Sequence, residues 1–301
     1  MKHLLTLENM TREWWDKLHA KTLDIMAHPE QYAESCKGKL LATLFFEPST
    51  RTRFSFQAAM LRLGGTIFGF DDPATSSTAK GESLADTIRV VASFADIIAI
   101  RSPNAGDAEL AAKYSGVPVI NAGDGAHLHP TQTLADLTTI AIRRGSICNF
   151  KIGIAGDLKY GRTVRALVTA LAAFPGIEYV LISPPGLDIP RDVLEFMDSR
   201  GLKYSQTRDL EAAIPDLDII YMTRIQKERF AVPELYDKLK GSYILTAETL
   251  RRAKPDALIM HPLPRVDEIS EDVDADPRAA YFDQVRYGMY ARMSLILSLI
   301  S

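Results

Sequence analysis

Cysteine is nearly absent: the 301 residues hold two, Cys36 and Cys148, far apart and in no CxxC pair. They offer neither a disulfide frame nor a zinc site, and they fit a reducing compartment. No charge sign dominates either. A formal net charge of −3 gives no basic face for nucleic acid and no acidic tail. The most apolar stretch, MSLILSLIS at 293–301, is too short to span a bilayer. The opening MKHLLTLENMTREWWDK returns to charge before an h-region of signal-peptide length can form. No membrane partner and a soluble, cytoplasmic protein are therefore expected. A Walker loop, GxxxxGK[ST], is missing, and the spacing of Gly153, Gly156 and Gly161 does not give GxGxxG. There is no repeat of solenoid length and no low-complexity tract.

What is present is the composition of an ordinary globular protein, 47% hydrophobic and 24% charged, long enough for two domains. Strand-length apolar runs fall at 40–46, 66–70, 96–100, 117–121, 152–155, 179–182, 218–222 and 257–261. Between them lie segments of helical period, such as 54–63, closed by Gly64-Gly65, and 83–94. The alternation predicts an α/β fold of two domains, each a mostly parallel sheet with helices on both faces. The helical segment 131–144 separates two series of strands, and 285–300 reads as a helix able to return to the first domain. The expected division is 1–135 with 285–301, and 136–284.

In open parallel sheets, ligands bind beyond the carboxyl ends of the strands. The stretch LFFEPSTRTRFSFQ, 44–57, meets that criterion, since its polar residues follow a strand and lead into a helix. Ser49 suits the N-cap, leaving the amides of Thr50, Arg51 and Thr52 as donors of an open first turn. Such a terminus attracts anions, and hydroxyls with a guanidinium favour phosphate. Arg51 is assigned to phosphate and Arg53 to a structural salt bridge. In isolation the motif reads equally well as a capped helix with two surface arginines. Four further strand ends deliver polar groups: Arg101; His129 with Gln132; Arg162; and Arg224, Gln226 and Arg229. Cations at that many strand ends in a slightly acidic protein imply a concentrated anion site. His127, His129 and Asp124 lack a third ligand at helical or CxxC spacing, so no metal is expected.

Six blocks in order, FFEPSTRTRFSFQ, KGESLADT, NAGDGAHLHPTQTLADL, GDLKYGRTVRAL, YMTRIQKERF and MHPLPRVDEI, resemble the aspartate carbamoyltransferase catalytic chains. The resemblance implies transfer of the carbamoyl group of carbamoyl phosphate to the amino group of L-aspartate in pyrimidine synthesis, with no cofactor. It implies that Ser49, Thr50, Arg51 and Thr52 hold the phosphate, and that Thr52, Arg101 and His129 face the carbonyl oxygen. Gln132 and the backbone at Leu263 and Pro264 hold the carbamoyl amide, and Arg162, Arg224 and Gln226 receive aspartate. Glu47 bridges to Arg162 and Arg229 on domain closure. The polar loop 71–83 could be solvated surface, but the resemblance implies that it reaches a neighbouring subunit's site, Ser76 and Lys80 touching substrate in a homotrimer. Some relatives also bind regulatory chains, and the sequence does not choose for this one. Ornithine carbamoyltransferases share the phosphate motif but carry a cysteine in an HCLP loop. Here Pro262 stands in its place and Arg224-Ile225-Gln226 suits a dicarboxylate. A non-catalytic scaffold domain would have lost charged site residues, and none is lost.

Overall fold

The computed structural model describes residues 2–72, 80–125, 128–226 and 233–300. It divides into two compact units, Met1–Thr138 with Val285–Ser301, and Thr139–Gln284. The helices, in chain order, are α1 (Arg12–Ala27), α2 (Thr50–Arg62), α3 (Leu84–Ala92), α4 (Asp107–Ser115), α5 (Pro130–Arg144) and α6 (Arg162–Leu171). They continue with α7 (Arg191–Ser199), α8 (Leu210–Ala213), α9 (Pro233–Leu239), α10 (Ala247–Leu250) and α11 (Tyr281–Ile300). The division falls inside α5 and α11, so the chain passes from unit to unit within continuous helix both times.

Among the described residues the first unit holds a four-stranded sheet of β1 (Leu40–Phe45), β2 (Thr66–Phe70), β3 (Ile97–Ser102) and β4 (Val119–Asp124). Its order is β2-β1-β3-β4 and every pairing is parallel. A parallel neighbour needs a crossover, and α2, α3 and α4 supply one each. β1, β3 and β4 are buried nearly end to end, as strands covered on both faces must be. Ala42, Leu44, Ile98 and Ile100 pack with Ile88 of α3 and Ala108 and Ala111 of α4. Fully burying an Ile or Leu side chain is worth about 1.5–3 kcal/mol.

The second unit holds β5 (Phe150–Ala155), β6 (Ile177–Ile182), β7 (Lys203–Thr207), β8 (Ile219–Met222) and β9 (Leu258–Met260), ordered β7-β6-β5-β8-β9 and all parallel. The chain starts in the middle at β5, winds outward to β7, then returns to place β8 on the other side of β5. The order reverses there, so the carboxyl ends of β5 and β8 flank a switch point of the kind where ligands sit. Ala155, Ile182, Ile220, Met222, Ile259 and Leu250 belong to its core. β7 has no counterpart among the apolar runs of the sequence. It is an edge strand, KYSQT, mostly exposed and held by one neighbour.

Candidate active site

In the first unit, the chain leaves β1 at Phe46, whose amide donates to the Arg101 carbonyl at 2.8 Å. That bond brings Glu47 over the end of β3, where its Oε1 meets Arg101 Nη2 at 2.6 Å. Ser49 takes the N-cap of α2 with an extended backbone and makes no side-chain cap bond. The hydroxyl is therefore not used up on the helix. Thr50 and Arg51 are exposed on the first turn, and Thr52 is buried. Arg53 pairs with Asp71, a structural ion pair of the kind assigned to it.

Arg101 owes its setting to an irregularity in β4. Ile100 pairs with Asn121 and Ser102 with Asp124, so Ala122 and Gly123 together oppose Arg101 alone. Such a bulge re-aims the facing side chain. Gly123 has φ +126°, and a Cβ there would meet both Arg101 Nη1 and His129 Cδ2 at 3.4 Å. The bulge thus places a bare backbone against the two side chains assigned to the carbonyl oxygen.

His129 is buried just before α5, with its Nε2 3.4 Å from Arg101 Nη1. Its Nδ1 lies 3.3 Å from the Gln132 amide, which donates toward it. A neutral imidazole has one bare nitrogen. With Nδ1 accepting, Nε2 carries the proton, and the approach to Arg101 is two donors side by side. One oxygen can receive both. Asp124 fixes the loop by accepting the Leu128 amide at 2.9 Å. The Gln132 side chain in turn donates to Asp136 Oδ1 at 2.8 Å.

In the second unit, Arg162 opens α6 beyond β5, while Arg224 and Gln226 follow β8, all three half-buried. The two loops are stitched together. Thr223 donates its amide and its hydroxyl to the Ala155 carbonyl, at 2.7 and 3.0 Å. Gln226 Nε2 donates to the Tyr160 carbonyl at 3.1 Å. Asp157, fully buried, accepts the Tyr160 amide at 2.9 Å and the Gln226 amide at 3.4 Å. Burial pushes its carboxyl up from the ordinary range, and the amides of Tyr160 and Gln226 offset only part of that. Gly156 joins β5 to this loop with φ +121°, and a Cβ there would stand 2.2 Å from the Thr223 carbonyl oxygen.

Beyond β9, the Leu263–Pro264 peptide is cis, and Leu263 has φ +47°. Buried His261 braces this turn: its Nδ1 accepts the Leu263 amide at 2.7 Å, so its Nε2 donates to Glu268 Oε1 at 2.6 Å. Burial of Glu268 opposes its charge, but the His261 bond and the Val266 amide prevail and hold the carboxyl below its ordinary range.

Each unit therefore gathers its own set. Glu47, Arg101, His129 and Gln132 lie together in the first, and Arg162, Arg224 and Gln226 on joined loops in the second. Lys80 is exposed. Ser76, His127 and Arg229 lie outside the described residues. Among the described residues, no group of three or more His, Cys, Asp or Glu could hold a metal ion, and no helix is long and apolar enough to cross a membrane. Gly123, Asp136, Asp157 and the His261–Glu268 pair went unmarked by sequence reasoning. Asp136 left one trace, a carboxylate four residues after Gln132 on a helix, where polar pairs meet.

Residues 2–141 match the family model described as aspartate/ornithine carbamoyltransferase, carbamoyl-P binding domain, and residues 148–299 match its Asp/Orn binding domain. The aspartate carbamoyltransferase catalytic subunit of Lachnoclostridium phytofermentans is 53% identical over 303 residues, covering 100% of this chain and 98% of the relative. The solved catalytic subunit of M. jannaschii aspartate transcarbamoylase superposes with a TM-score of 0.92 at 46% identity, covering 100% of this chain and 98% of that one. Aspartate transcarbamoylase from Trypanosoma cruzi, solved in complex with carbamoyl phosphate and aspartate, gives 0.94 at 38% identity over 100% and 97%.

Proposed function

Because the chain belongs to the aspartate/ornithine carbamoyltransferase family, we infer that it transfers the carbamoyl group of carbamoyl phosphate to the amino group of L-aspartate. The products are N-carbamoyl-L-aspartate and phosphate. The observation that carries this is full-length likeness, in sequence and in fold, to aspartate carbamoyltransferases, one of them solved with both substrates bound. Pro262, where ornithine enzymes carry cysteine, agrees with it.

The aspartate amine attacks the carbonyl carbon, and negative charge gathers on the carbonyl oxygen of the tetrahedral intermediate. Arg101 Nη1 and His129 Nε2–H supply two fixed donors for that oxygen, and the hydroxyl of Thr52 on α2 is assigned to the same oxygen. Each such donor is worth about 10²–10³ in turnover. The C–O bond to phosphate then breaks, and the departing phosphate, held by Ser49, Thr50, Arg51 and Thr52, accepts the amine proton. Gln132 and the backbone at Leu263 and Pro264 hold the carbamoyl amide. Arg162, Arg224 and Gln226 take the aspartate carboxylates; two cations and an amide on joined loops support a dicarboxylate over a cationic amino acid. Glu47 and Arg229 act in closure. Holding two anions at bonding distance supplies most of the acceleration.

The working form is a homotrimer in which the loop carrying Ser76 and Lys80 completes a neighbour's site. The exposure of Lys80 supports this. Assaying carbamoylation of aspartate against ornithine tests the main reading: aspartate alone should react, and reaction of ornithine alone would overturn it.

A further inference from the structure

Gln132 is assigned to the carbamoyl amide, yet a side-chain amide has two unlike ends. Its oxygen accepts from an NH2 group, whereas its nitrogen would meet that group donor to donor. The orientation matters as much as the position, and one side chain sets it. Gln132 Nε2 donates to Asp136 Oδ1 at 2.8 Å. Asp136 is fully buried on α5, one helical turn further on. A carboxylate offers only acceptors, so it selects the nitrogen end of the amide and leaves the oxygen end for something else.

The first unit also carries a buried cation, Arg292, of charge opposite to this carboxylate. Arg292 of α11 is buried, donates from Nη1 to Ser55 Oγ at 3.2 Å and from Nη2 to the Thr131 carbonyl at 3.2 Å, and lies 5.2 Å over the Phe56 ring. Burial pushes its guanidinium down to about 10, and the charge of Asp136 opposes that fall. The arginine thus ties α2, the start of α5 and α11 together while facing Asp136 with the opposite charge.

We propose that Asp136 is a positioning residue for the carbamoyl group, turning the Gln132 amide so that its carbonyl oxygen accepts the substrate NH2. The inference rests on the reading of Gln132 given above. A carboxylate serving only to neutralise Arg292 would steady the fold and have no preference among ligands. A carboxylate that orients Gln132 acts on ligands bearing an NH2 and on no others.

Three ligands separate these roles: carbamoyl phosphate, acetyl phosphate, which has a methyl in place of the NH2, and inorganic phosphate. Binding of each is measured by calorimetry to the unaltered protein, Asp136→Asn, Gln132→Ala and the double variant. Asp136→Asn, which lets the amide turn over, should weaken carbamoyl phosphate about 10- to 100-fold. Acetyl phosphate and phosphate should stay within about twofold, and the double variant should be no worse than Gln132→Ala. Equal weakening of all three ligands, or losses that add in the double variant, would overturn the inference. Unchanged carbamoyl phosphate binding in Gln132→Ala would instead overturn the assignment of Gln132. Should Asp136→Asn strand the arginine charge and unfold the chain, Asp136→Asn with Arg292→Met removes both charges and carries the same expectations.

Discussion

Arg51 stands exposed on the first turn of α2, with Thr52 buried behind it. Exposure means that its removal costs little fold, so Arg51→Ala should lower turnover about 10²–10³-fold and leave the urea midpoint in place. Retained turnover would show the phosphate misplaced. Glu268 offers a test of the opposite kind. Its folded-state carboxyl lies below its ordinary range, so the stability it gives is complete above that range and drains away as pH falls through the folded value. The loss in unfolding free energy between pH 7 and pH 4 should therefore be smaller in Glu268→Gln than in the unaltered protein. Cations such as Arg101 and Arg162 were legible because positive charge gathered at several strand ends stands out in a slightly acidic protein. Asp157 was not, although it sits between the 152–155 run and Arg162. Its work is to accept two amides, and a sequence does not show which loop amides lack partners.

At the level of elements, eight of the described strands announce themselves as apolar runs, and β1, β3, β4, β5, β8 and β9 do so because both faces are covered. β7 does not, since an edge strand is held by its backbone and its side chains meet water. The bulge in β4 is equally silent: Gly123 is one glycine in AGDGA, and only the pairing of β3 with β4 shows that it faces Arg101. Gly156 gives the clearest prediction. Alanine there meets the Thr223 carbonyl and a positive φ, so Gly156→Ala should cost about 1–3 kcal/mol of stability. Because the same contact joins the loops of Arg162 and Arg224, the KM for aspartate should rise more than that for carbamoyl phosphate. Equal change in both constants would show the stitch between the loops to be irrelevant to binding.

For the molecule as a whole, shared sites make a quantitative prediction. Arg51→Ala and Lys80→Ala chains, each inactive alone, are dissociated, mixed in equal amounts and reassembled. An intact site needs Arg51 from one chain and Lys80 from its neighbour, so random assortment restores about a quarter of the unaltered activity. No recovery at all would count against a loop that crosses between subunits.

The first unit is also discontinuous, and that bears on how the chain comes off the ribosome. Residues 1–138 emerge first but must wait for 285–301, because Arg292 within that last segment fills the space beside Ser55 and Thr131. The intervening unit, one unbroken stretch, can finish while the earlier one still lacks its closing helix. What is made first is completed last, so a nascent chain halted before α11 holds the phosphate motif on an unfinished scaffold.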